Sequence, residues 1–205
     1  MASDKDIVHE PATQKAAVKK RLVFPIRNRT ETFFELSPWF LSERLRVDQI
    51  SDEDYATLHR DDEMFVSIVS INQQCIVADL EPDQDAGLAA DDIASKIQFA
   101  FASFSSTPLI LSHAVVISTT GTSKGVVEKK LLLPVLGDYS KLVAAPFAFH
   151  AGIKPEQIID LFKVLNTAVE KHSSFRITLS RFNSAKLRGA DHDKVIDIAI
   201  SLESL

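Results

Sequence analysis

Up to about residue 150 the apolar positions fall in short runs, some alternating, with turn-forming residues between them; from Lys154 onward they follow a helical period. Leu22-Val23-Phe24-Pro25-Ile26 predicts a first strand. Pro25 places it at a sheet edge or at a strand end, because proline donates no ladder hydrogen bond. Phe33, Phe34, Trp39 and Phe40 form an aromatic cluster expected in the core. Ser51-Asp52-Glu53-Asp54 opens a short helix, with Ser51 as its cap and the acids at its positive end. Residues 64–71 and 74–80 read as two strands joined by a tight turn at Asn72-Gln73. Asp91 or Asp92 caps a helix whose apolar face carries Ile93, Ile97, Ala100, Phe101 and Phe104, and Pro108 ends it. Residues 109–118 predict a buried strand, 119–125 a hairpin turn and 126–133 the return strand, followed by an apolar segment at 142–150.

Three helices follow. Pro155 suits a first helical position, and Ile158, Phe162, Leu165 and Val169 fall on one face. Ser173 or Ser174 caps a second helix with Phe175, Leu179, Phe182 and Ala185 on its apolar face, closed by Gly189. Asp191 caps a third. Its residues Val195, Ile196, Ile198, Ala199, Ile200, Leu202 and Leu205 leave little polar surface, which predicts a central helix buried on most sides. Asp193 and Asp197 share a face as its polar strip.

The fold class is therefore α+β: a mainly antiparallel sheet with a packed helix, followed by a C-terminal helical segment. Residues 1–18 read as a polar arm, 19–150 as an α+β domain and 151–205 as the helical segment.

Composition narrows the function classes. A net charge of −5 over 205 residues excludes a polycation, so nucleic-acid contact requires a local patch. Lys19, Lys20, Arg21, Arg27 and Arg29 make one such patch, read as a charged strand edge that blocks unwanted pairing. Arg176, Arg181, Lys186 and Arg188 make a second, with no acid between Lys171 and Ala190. The single cysteine, Cys75, forms no internal disulfide and supports no cysteine-rich zinc site; within an apolar run it reads as a buried thiol. No apolar run reaches membrane-spanning length, and the N-terminus lacks a secretory pattern, so a cytoplasmic, reducing compartment is the expectation. The acids of 81–92 lack calcium-loop spacing, and 119–125 lacks phosphate-loop spacing. No metalloprotease, dinucleotide or nucleophile-elbow motif and no sequence-specific DNA-binding motif is present, so neither metal nor cofactor is expected.

The run from Ser180 to Leu205 resembles the first half of the helical bundle of the HEPN superfamily, in its Apea-like branch. Arg181-Phe182-Asn183 matches the branch's Arg-Phe-Asn segment, and Asp193 with Leu202-Glu203-Ser204-Leu205 matches its Asp-initiated apolar helix. The resemblance covers residues 155–205. It implies a bundle continuing beyond Leu205, a homodimer through the C-terminal helices and a role in RNA-linked defence or stress response. Arg176, Arg181, Lys186, Arg188 and His192 are then the RNA-binding candidates, and Phe182, Asn183, Asp193 and Glu203 the structural ones. An enzyme of this family would be a metal-independent ribonuclease, with a histidine as general acid or base and an arginine stabilising phosphorane charge. Its motif separates Arg from His by four to six residues. Only three residues lie between Arg188 and His192, so the pair does not match and this chain is expected to lack a complete nuclease site. The alternative is a non-enzymatic ligand- or partner-binding α+β module.

Overall fold

A computed structural model describes residues 18–28, 38–61, 74–111, 113–132, 147–187 and 191–203. The 1–18 arm (but for Val18), the strand at 64–71 with its turn, Phe33, Phe34 and most of 142–150 lie outside the described residues.

Six strands, β1 (Lys19–Pro25), β2 (Trp39–Ser42), β3 (Leu45–Gln49), β4 (Gln74–Leu80), β5 (His113–Thr120) and β6 (Ser123–Leu131), form one sheet in the order β2-β3-β4-β1-β5-β6. Every neighbouring pair is antiparallel, as the sequence pattern predicts. Five helices are described: α1 (Asp52–Asp61), α2 (Ala86–Ala102), α3 (Pro155–Lys171), α4 (Phe175–Leu187) and α5 (Asp191–Glu203). β4 and β5 both run against β1, so they are parallel to one another. Their connection, α2, therefore crosses over the face of β1.

The register explains why the central strands are apolar throughout. Val23 stands opposite Val77 on one side and Val115 on the other. Successive side chains of a strand point to opposite faces. Leu22, Phe24, Ile76, Ala78 and Val116 join the larger core with Ala90, Ile97 and Phe101 of α2 and Ile158, Phe162 and Leu165 of α3. Val23, Cys75, Val77, Val115 and Ile117 join a smaller core with Leu58 of α1. The sheet is thus covered on both faces, by α2 and α3 on one and by the short α1 on the other.

Local signals account for most boundaries. The Ser51 hydroxyl accepts from the Asp54 amide at 3.1 Å, the expected cap of α1. Gly121, with φ of 58°, turns the β5–β6 hairpin in a conformation that favours glycine. Pro155 occupies the start of α3, and Ile158, Phe162, Leu165 and Val169 are its buried residues.

Four expectations are corrected. β1 is central, flanked by β4 and β5, so its basic residues do not line a sheet edge; of the two places that Pro25 allowed, the strand end is the one it takes. The helix expected from Asp91 or Asp92 begins at Ala86, because the Asp85 carboxylate already accepts from the Leu88 amide at 2.8 Å. The aromatic cluster divides across β2, with Trp39 buried and Phe40 51% exposed, and the β2–β3 hairpin adds two strands that the reading lacked. Finally, α5 is not a central helix. Val195, Ile196 and Ile198 are 66%, 54% and 42% exposed, whereas Asp197, read as part of a polar strip, is buried.

Candidate binding cleft beside a helical joint

α4 carries both the basic segment and the Arg181-Phe182-Asn183 run. Successive helical residues point about 100° apart, so neighbours in sequence meet different partners. Arg181 Nη1 donates to Asp197 Oδ1 of α5 at 3.3 Å. Phe182 packs against Phe99 of α2, with ring centroids 4.8 Å apart. Asn183 Nδ2 donates to the Ser95 carbonyl of α2 at 2.8 Å. Three consecutive residues therefore fasten α4 to α2 on one side and to α5 on the other.

The remaining candidates are dispersed. Arg176 reaches Asp92 at 3.3 Å, and Asp92 also holds Lys96 at 2.6 Å. Lys186 Nζ stands 5.7 Å from the Phe182 ring centroid, a cation–π contact. Arg188 lies outside the described residues; His192 falls in the first turn of α5. Asp193 is half-buried and Glu203 exposed, both on α5. The described histidines occupy separate places: His59 in α1, His113 at the start of β5, His150 before α3 and His172 after it. Among the described residues no group of three His, Cys, Asp or Glu is arranged to hold a metal ion.

Where α2 and α4 diverge beside the end of β6, they leave a cleft of about 910 Å³. Leu88, Leu131 and Ile177 supply apolar lining; Asp91, Asp92, Arg176, Arg181 and Asn183 supply polar lining. Asn183 Oδ1 is buried and has no hydrogen-bond partner among the described residues. The resemblance had singled out Asn183 and Arg181. The α2 wall had no sequence signal, because α2 and α4 meet only through contacts between residues more than 80 positions apart.

A second polar cluster lies on the opposite face of the sheet. Arg21, counted as a strand-edge cation, bridges Asp54 at 3.1 Å and Asp79 at 3.0 Å. Arg46 reaches Asp79 at 2.9 Å, and Lys124 pairs with Asp54. Burial alone would raise the Asp54 carboxyl, but the Lys124 hydrogen bond and the Arg21 charge together hold it below its ordinary value. Asp79 is lowered in the same balance, by Arg21 and Arg46 against burial. Both are stable anions, the opposite of what a general acid near neutral pH needs. Cys75 is fully buried beneath this cluster, and burial, with the charges of Asp54 and Asp48, pushes its thiol far up. A protonated, covered thiol is no nucleophile.

No family model matches the chain, no curated protein matches it, and no solved structure matches it. No helix among the described residues is long and apolar enough to cross a membrane.

Proposed function

We propose that the chain is the sheet domain and first bundle helices of a HEPN-related protein of RNA-linked defence or stress response, working in the cytoplasm as an association unit without a complete nuclease site. The observation that carries this reading is the orientation of α5. Its Asp197 side chain, 2% exposed, turns inward to Arg181, while Val195, Ile196 and Ile198 face outward. A helix so oriented exposes aliphatic side chains that another helix can cover, and a homodimer through α4 and α5 supplies one. The Arg-Phe-Asn segment, engaged in fastening α4, acts in positioning. Lys186, over Phe182 near α5, is the described cation that best suits an RNA phosphate.

Sedimentation analysis of the purified chain against its Ile196→Lys variant tests the association. The expected result is a dimer that the substitution converts to a folded monomer. A parent chain that is monomeric throughout the concentration range defeats this reading. Binding to single-stranded RNA, followed by anisotropy, is expected to weaken with salt and with Lys186→Glu. The absence of salt-sensitive binding removes the RNA role.

The alternative, a non-enzymatic ligand-binding module, is favoured by one feature, the cleft between α2 and α4 with its unpartnered Asn183 oxygen.

A further inference from the structure

We propose that Arg60 and Asp61, at the end of α1, guard the β6 edge: their side chains take the place of a neighbouring strand at Lys124–Val126 and so keep an edge strand of a second copy of this chain from pairing there. This role is independent of association through α4 and α5.

β6 is an outer strand of the described sheet, nine residues long, with Val127 60% and Leu131 56% exposed. An outer strand turns a row of backbone N–H and C=O groups away from its sheet, and these pair readily with another chain. At Lys124–Val126 side chains fill that row. Asp61 Oδ2 accepts from the Val126 amide at 3.0 Å, and Arg60 Nη2 donates to the Lys124 carbonyl at 2.6 Å. One acceptor and one donor on the two groups that flank Gly125 are what a single residue of a parallel strand would supply.

The two side chains also hold each other. Arg60 Nε donates to Asp61 Oδ1 at 2.6 Å, and Nη2 donates to Oδ2 at 3.1 Å, the fork that a guanidinium and a carboxylate form. Arg60, and after it the Val126 amide, lowers the Asp61 carboxyl to about 2. Gly125 makes room for the approach, since a Cβ there would stand 3.3 Å from Asp61 Oδ2. The body of α1 is anchored separately, by Leu58 in the smaller core and by Asp54 with Arg21 and Lys124. Loss of the two terminal side chains should therefore leave the helix in place.

The test replaces Arg60 and Asp61 together by alanine, which removes one charge of each sign. It is made in the Ile196→Lys chain, so that α5 does not contribute to association. Circular dichroism is expected to be unchanged. At low concentration the Val126 amide should exchange about tenfold faster, the effect of losing a hydrogen bond to a charged acceptor. As concentration rises, sedimentation should show self-association beyond that of the Ile196→Lys chain, with Val126 protected again in the associated species. Asp61→Asn keeps an acceptor for that amide and should add no association. If the double variant loses helix, Asp61→Ala alone carries the same test, because Arg60 still covers the Lys124 carbonyl. A folded variant that adds no association, associated species in which Val126 stays unprotected, or Val126 exchange that does not change overturns the proposal.

Discussion

Asn183 of α4 donates its amide N–H to the carbonyl of Ser95 in α2, 2.8 Å away and 88 positions earlier in the chain. The bond pins the C-terminal helices to the helix that crosses the sheet. Replacing Asn183 separates two effects. Asn183→Ala removes the bond together with the unpartnered Oδ1, and should cost about 1 kcal/mol. Asn183→Asp places a carboxylate against the Ser95 carbonyl in a buried position and should cost more, roughly 3 kcal/mol or above. Urea midpoints of the two variants check the ranking, and acid should partly restore the Asp variant by neutralising it.

The two arginines of α4 are expected to behave differently. The Asp197 side chain facing Arg181 is 2% exposed, whereas Arg176 is 62% exposed opposite a carboxylate that Lys96 also holds. Arg181→Gln should therefore destabilise the chain by roughly 1.5–3 kcal/mol, as expected for hydrogen bonds to charged groups. Arg176→Gln should cost less than about 1 kcal/mol, as exposed ion pairs do. Chemical denaturation of both variants gives the comparison, and equal losses would contradict this account of the joint.

The fate of individual residues shows which features were legible. Ile158, Phe162, Leu165 and Val169 repeat at helical spacing and are buried together, because a face long enough to pack reveals itself by period alone. Ser51 and Pro155 marked helix starts because capping and proline geometry are local. Leu45 and Val47 alternate with Arg46 and Asp48, yet five residues among so many charges gave too short a strand signal. Asp91 and Asp92 directly precede Ile93, the first large apolar residue of the face, whereas the helix already packs Ala86, Ala89 and Ala90 behind the Asp85 cap. α5 misled for a different reason: composition reports how much apolar surface a helix carries, but not whether the rest of the chain covers it. The cleft was illegible altogether, since its two walls come together only in the folded chain.

Cys75 should be inert in the native state. It is completely buried, and its thiol is pushed up first by burial and then by Asp54 and Asp48. A thiol reagent such as dithionitrobenzoate reacts with the thiolate and needs access to it. Native protein is expected to label only at the rate of its opening, and denatured protein at once. Rapid native labelling would mean that the α1 face of the sheet opens readily.

The network around Asp54 predicts a particular loss of stability in acid. Asp54 is buried, and Lys124 and Arg21 hold its carboxyl below the ordinary 3.8; Arg21 and Arg46 do the same to Asp79. The folded state therefore releases these protons more readily than the unfolded chain. Where the unfolded chain binds more protons, stability rises with pH. The contribution is fully present above the unfolded carboxylate value, about 4, and is lost as pH falls through the lower folded values. Arg21 and Arg46 remain charged throughout, so in acid they lose their partners while keeping their own charge. Asp54→Asn should lower stability at neutral pH and flatten the dependence below pH ~4, because the substituted group no longer titrates. Thermal midpoints of parent and variant across the acid range test this: the two curves should converge as pH falls, and a constant gap between them would show that the ion pairs are not what acid removes.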